Sequence, residues 1–149
     1  MEIRTVLVPI DFSDPSAAAL DAAISLAKRF EARVHLLHVY QINTAVYPYG
    51  MIIGPEVEQK LHEAARKSLE EWCDRAVREG VSAEATVAPG TPSETILRQA
   101  EELPADMIVM GTRGLSGLKH VLLGSVAERV VQKARCPVLT LHGEAVEAD

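Results

Sequence analysis

Glycine is missing from the place where a dinucleotide-binding turn would need it. The connection from Pro9 to Asp14, between the first apolar run and the first helical pattern, contains none, which argues against a Rossmann dinucleotide site. No G-x-x-x-x-G-K-[ST] occurs, so the chain is not a P-loop NTPase. No G-x-S-x-G elbow occurs either, nor does a nucleophile–base pair or a cluster of Mg²⁺-binding acids. Cysteine is scarce. Cys73 and Cys136 are far apart and lack metal-ligand spacing, so both read as reduced thiols of a cytosolic protein. Positive charge is in deficit, with a net charge of −6. That excludes a global basic field for nucleic acid and leaves an anionic ligand to be held locally. Residues 34–55 carry no Asp, Glu, Lys or Arg, yet His35, His38, Gln41, Asn43, Pro48, Gly50 and Gly54 interrupt them, so no membrane span is expected. Glu2 and Arg4 break up the N-terminus, and no signal peptide is expected.

What is present is a regular alternation of strand-like and helix-like patterns over 149 residues, enough for one domain with a full core. Residues 3–10 are a β-rich apolar run ending near Pro9. Asp14 followed by Pro15 suits an N-cap and first helical residue, with Ser13 as the alternative cap. Ala18, Ala22, Leu26 and Phe30 then recur at helical spacing, as do Leu20, Ile24 and Ala27, giving a helix over about 14–30. Residues 32–39 predict a second strand. From Pro55, the positions Val57, Leu61, Ala65, Leu69, Trp72 and Ala76 trace one apolar stripe, read as core, on a helix ended by Gly80. Residues 83–88 predict a third strand, polar enough to lie near a sheet edge. Thr91-Pro92-Ser93-Glu94 reads as a capping box opening a third helix to about Leu103. A fourth strand, a glycine loop, a fourth helix and a fifth strand over 137–142 complete the series. Residues 1–142 are assigned as one domain and 143–149 as an acidic tail. Strands alternating with helices imply a parallel sheet covered on both faces. Ligands of such sheets bind beyond the carboxyl ends of the strands, where the strand order reverses.

The densest pattern runs from Asp106 to Ala134. An apolar strand, Asp106–Met110, leads into Gly111-Thr112-Arg113-Gly114, nine residues, then Gly124-Ser125 and a helical pattern. Ser125 with Glu128 reads as a capping box, so the helix is expected to start at Ser125. A helix N-terminus with unpaired N–H groups favours a phosphate. The alternative is an ordinary loop with turn glycines, and a glycine pattern alone does not separate the two. Asp11, just past the first strand, suits the hydroxyls of a ribose as well as a turn aspartate bonding its own backbone. Arg113, Lys119 and His120 add local positive charge. His35 and His38 read as hydrogen-bonded strand residues, and Cys136 as a buried small hydrophobe. The segment 40–54 holds Tyr47, Tyr49, Met51, Ile52 and Ile53 and no charge. It is expected to act as a flap over the cleft or as a contact with another subunit.

Val8-Pro9-Ile10-Asp11-Phe12-Ser13, the run Leu36-Leu37-His38-Val39, Gly90-x-Pro92 and G-x2-G-x9-G-S from Gly111 to Ser125 resemble the universal stress protein family across nearly the whole chain. The resemblance implies a five-stranded parallel sheet in the order 3-2-1-4-5, Rossmann-like, with helices on both faces. It also implies the ATP-binding branch, because the glycine motif is intact. On that resemblance Asp11 would hold the ribose, and Pro9 and Val39 would flank the adenine, Val39 through its backbone. Met110 and Gly111 would lie under the nucleotide. Gly114, Gly124, Ser125 and Val126 would supply N–H groups to the phosphates, Ser125 also its hydroxyl. ATP, with or without Mg²⁺, is the ligand implied. A homodimer through Val138–Leu141 follows from the same resemblance and from the need to protect an edge strand. A slow ATP hydrolase and a dimeric scaffold that binds no nucleotide stand as the competing readings.

Overall fold

The computed structural model describes residues 1–41, 54–112 and 123–143. Strands β1 (Thr5–Pro9), β2 (Arg33–Tyr40), β3 (Ala83–Pro89), β4 (Met107–Gly111) and β5 (Val138–Leu141) alternate with helices α1 (Asp14–Phe30), α2 (Pro55–Arg78), α3 (Pro92–Glu102) and α4 (Ser125–Lys133). All strand pairs are parallel, and the order is β3-β2-β1-β4-β5. The expected fold class is therefore the observed one, and β3 does lie at an edge. The strand order reverses between β1 and β4, whose ends carry Asp11 and Gly111. Of the segment 40–54, on which the flap-or-contact expectation falls, residues 42–53 lie outside the described residues, as do Arg113, Gly114, Lys119, His120 and the tail from residue 144.

Strand alternation divides the core into two layers. Val6, Val8, Val34, Leu36 and Val109 face α1 and α2, where they meet Leu20, Ile24, Leu69 and Ala76. Leu7, Leu37, Ile108 and Met110 face the other way and meet Ile96 and Ala100 of α3 and Ala127 and Val130 of α4. Of the two stripes on α1, the one through Leu20, Ile24 and Ala27 is buried, while Phe30 is 46% exposed. The stripe on α2 is core over only part of its length. Leu69 and Ala76 are fully buried, but Val57 and Leu61 are half exposed and Trp72 is partly buried. The cause is length. A helix of 24 residues runs about 36 Å, whereas the eight residues of β2 span about 26 Å, so the first turns of α2 overhang the sheet.

The starts of α1 and α3 differ from their expected form. Ser13, not Asp14, caps α1, and its hydroxyl accepts the Ser16 N–H at 3.3 Å. Thr91 does cap α3, but its side chain makes no capping bond. Pro92 at the first helical position has no N–H to satisfy and pre-sets φ, so less is asked of the cap.

Candidate functional site

A cavity of about 230 Å³ opens at the carboxyl ends of β1 and β4. Pro9 and Asp11 enter it from β1, Val39 from β2, and Met110 and Gly111 from β4. Gly124, Ser125 and Val126 enter it from the start of α4. Of the residues assigned to the nucleotide by resemblance, only Gly114 lies outside the described residues; Arg113, Lys119 and His120, singled out for their charge, lie outside them too. The wall is mainly apolar, and no Lys or Arg lines it among those residues.

Asp11 makes the turn contact weighed for it and also borders the cavity. Its Oδ1 accepts the Ser13 N–H at 3.0 Å and the Ser13 hydroxyl as well, so it organises the turn into α1. Its Oδ2 takes no bond among the described residues, and the residue lines the cavity. The next residue, Phe12, has φ 66°, a left-handed conformation that costs energy for a residue with a Cβ. The turn from Pro9 to Asp14 has no glycine to supply that conformation. It is held by packing: the Phe12 ring meets His38 at 4.8 Å and stands edge-on to Trp72 at 5.5 Å.

At the end of β2 the backbone is left open. The Leu37 carbonyl accepts the Ile10 N–H at 2.8 Å on the β1 side, and the Tyr40 carbonyl accepts the Gly90 N–H at 3.0 Å on the β3 side. By that alternation the N–H and C=O of Val39 face β1. The register of β1 with β2 ends at Pro9 opposite Leu37, so both groups of Val39 look past the end of β1.

At α4 the expected cap is displaced by one residue. Gly124 is the N-cap and Ser125 the first helical residue, with no side-chain capping bond. The Ser125–Glu128 capping box is therefore not formed, and the Glu128 N–H bonds the Gly124 carbonyl at 2.9 Å. Ser125 is exposed, and its hydroxyl makes no bond among the described residues. The Gly124 N–H is not free, because it donates to the Thr112 carbonyl. It closes the base of the glycine loop, and the donors left for an anion are those of Ser125, Val126 and Ala127.

Several lining residues were not singled out as ligand contacts. Ile96, Leu37 and Pro92 complete the apolar wall, and buried Thr112 and Ser16 border it. The Gly90-x-Pro92 spacing was the one signal available for that wall. The strand histidines behave as read. His35 Nε2 lies 2.8 Å from the Thr86 hydroxyl, and His38 Nδ1 bonds the Ile10 carbonyl at 2.7 Å. Cys136 is only partly buried, though packed against the α3–α4 layer.

Comparison with known proteins settles the family. The model of the universal stress protein family matches residues 2–142. The chain belongs to the universal stress protein family. It is 41% identical to universal stress protein YxiE of Bacillus subtilis over 144 residues, covering 92% of this chain and 97% of that protein. It is 36% identical to universal stress protein MJ0531 of Methanocaldococcus jannaschii, with coverage of 93% and 81%. Among solved structures, the hypothetical protein MJ0577 superposes with a TM-score of 0.85 at 30% identity, covering 98% and 100% of the two chains. A universal stress protein solved in complex with cAMP superposes at 0.71 and 28% identity, with coverage of 97% and 100%. No helix among the described residues of this universal stress protein is long and apolar enough to cross a membrane.

Proposed function

We propose that this universal stress protein binds an adenine nucleotide, ATP, in the cleft between the ends of β1 and β4, and that it acts through nucleotide-dependent interactions in the cytoplasm. One observation carries the reading: three kinds of recognition group converge on a single apolar slot. Among the described residues the Val39 N–H and C=O take no partner, and they offer a donor beside an acceptor. Adenine presents the complementary pair, a ring nitrogen and an amino group, whereas hypoxanthine presents the reverse. The free Oδ2 of Asp11 suits the ribose hydroxyls. The first turn of α4, with the N–H groups of Ser125, Val126 and Ala127 and the Ser125 hydroxyl, suits the phosphates. Pro9, Val39 and Met110 form the walls for the base, Gly111 closes the floor, and Gly114 belongs to the same phosphate loop by its motif. The solved relative in complex with cAMP supports an adenine nucleotide.

Magnesium would arrive on the phosphates, since among the described residues no group of three His, Cys, Asp or Glu side chains is arranged to hold a metal. The slow-hydrolase alternative predicts ADP in a single-turnover assay with protein in excess. Binding without turnover is the expected result. The protein also forms a homodimer in this reading, through β5, which among the described residues is hydrogen-bonded to β4 alone.

Calorimetry with ATP and ITP, together with mass spectrometry of small molecules retained on purification, tests the reading. Saturable ATP binding with ITP at least about tenfold weaker is expected, the weight of about one hydrogen bond. Asp11→Ala should weaken ATP by about 1–3 kcal/mol, the range for bonds to a charged group, and should narrow the preference for ATP over its 2′,3′-dideoxy analogue. No heat with ATP and no retained nucleotide would overturn it.

A further inference from the structure

Behind the cleft, on the face covered by α1 and α2, His38 occupies a position that the nucleotide reading does not use. A parallel ladder continued by one more rung would join the Val39 N–H to the Ile10 carbonyl. That rung is not made. The Ile10 N–H still bonds Leu37 at 2.8 Å, but the Ile10 carbonyl is met at 2.7 Å by Nδ1 of His38. A carbonyl can only accept, so Nδ1 carries the hydrogen. The same ring packs at 4.8 Å against Phe12, the residue whose left-handed φ of 66° turns the chain between Asp11 and Ser13.

We propose that His38 is a positioning residue that ends the β1–β2 ladder one rung early: by taking the Ile10 carbonyl it leaves the Val39 N–H for the ligand, and by packing on Phe12 it sets the turn that holds Asp11. It touches no ligand, because successive strand residues face opposite sides of the sheet and Val39, not His38, lines the cavity. The residue specifies the base by keeping a backbone donor unpaired. A side chain without a donor would release the Ile10 carbonyl, and the next rung of a parallel ladder would bring the Val39 N–H to it. The part of this inference that concerns affinity rests on the nucleotide reading; the part that concerns the ladder does not.

The experiment separates the two. In the ligand-free wild-type protein, long-range ¹H–¹⁵N NMR should show His38 as the Nδ1–H tautomer, and the Val39 amide should exchange faster than that of Leu37. His38→Phe keeps a ring on Phe12 and removes the donor. There the Val39 amide should become protected by about tenfold or more as the rung closes, while ATP affinity and the ATP-over-ITP preference fall by about tenfold. His38→Asn, whose amide places a donor where Nδ1 stood, should restore fast Val39 exchange. A residue that only filled space would lower protection generally on substitution, not raise it at Val39. A bare Nδ1 in the wild type, a Val39 amide as protected as Leu37, or unchanged Val39 exchange in His38→Phe would each overturn the proposal. The wild-type measurements decide it even where His38→Phe does not fold. If ATP does not bind, the nucleotide reading fails, and the exchange data still decide the ladder device.

Discussion

A Cβ at Gly111 would stand 2.6 Å from the Cβ of Pro15 and 2.8 Å from its carbonyl carbon. The end of β4 thus passes directly against the first turn of α1, and only glycine fits between them. Gly111→Ala should destabilise the fold by about 1–3 kcal/mol, the range for overpacking a tight contact, which a denaturant midpoint would register. Gly124 differs. Its φ of −72° and ψ of 165° suit any residue, so nothing in its backbone requires glycine. Gly124→Val should melt close to the wild type yet lose ATP binding, because the side chain would stand where the phosphates approach the α4 donors. Calorimetry and thermal melting on the same sample check both halves; unchanged ATP affinity would show that the phosphates lie elsewhere.

At the scale of the strand, β2 carries a pH dependence through His35. The ring is 9% exposed and bonds Thr86 of β3. Burial pushes its pKa below the ordinary value of 6.5; the Glu84 carboxylate 3.9 Å away pulls it back up, and Arg33 pushes it further down. The folded protein therefore prefers the neutral ring. As pH falls below about 6.5, the unfolded chain takes up the proton first, so it binds more protons and stability declines. The decline levels off once the folded-state ring also protonates. His35→Gln should flatten stability against pH across that window. Melting curves between about pH 7.5 and 5 would reveal it, and an unchanged slope would assign the acid sensitivity to other groups.

The whole molecule has two sheet edges, and they are protected differently. β3 is covered on one face by α2, whereas Leu139 of β5 is 38% exposed on a strand that, among the described residues, pairs with β4 alone. Pairing of Val138–Leu141 with a second copy would satisfy its outer edge. Leu139→Lys places a charge on that edge and should shift the protein from dimer to monomer in sedimentation at micromolar concentration. A wild type already monomeric there would sink the dimer.

The element types, the alternation that makes the sheet parallel, and the positions of Asp11 and the glycine loop were determined by the sequence alone. They rest on local periodicity and turn chemistry, which neighbours along the chain express. Which residue caps α4, that Gly124 spends its N–H on Thr112, and that α2 overhangs the sheet were decided only by tertiary structure. Each depends on where a distant segment ends. The open backbone of Val39 is the clearest case. Nothing within β2 leaves that N–H unpaired; among the described residues it has no partner because β1, nearly thirty residues earlier in the chain, turns away at Asp11, and because a histidine on the opposite face holds the carbonyl that would have claimed it.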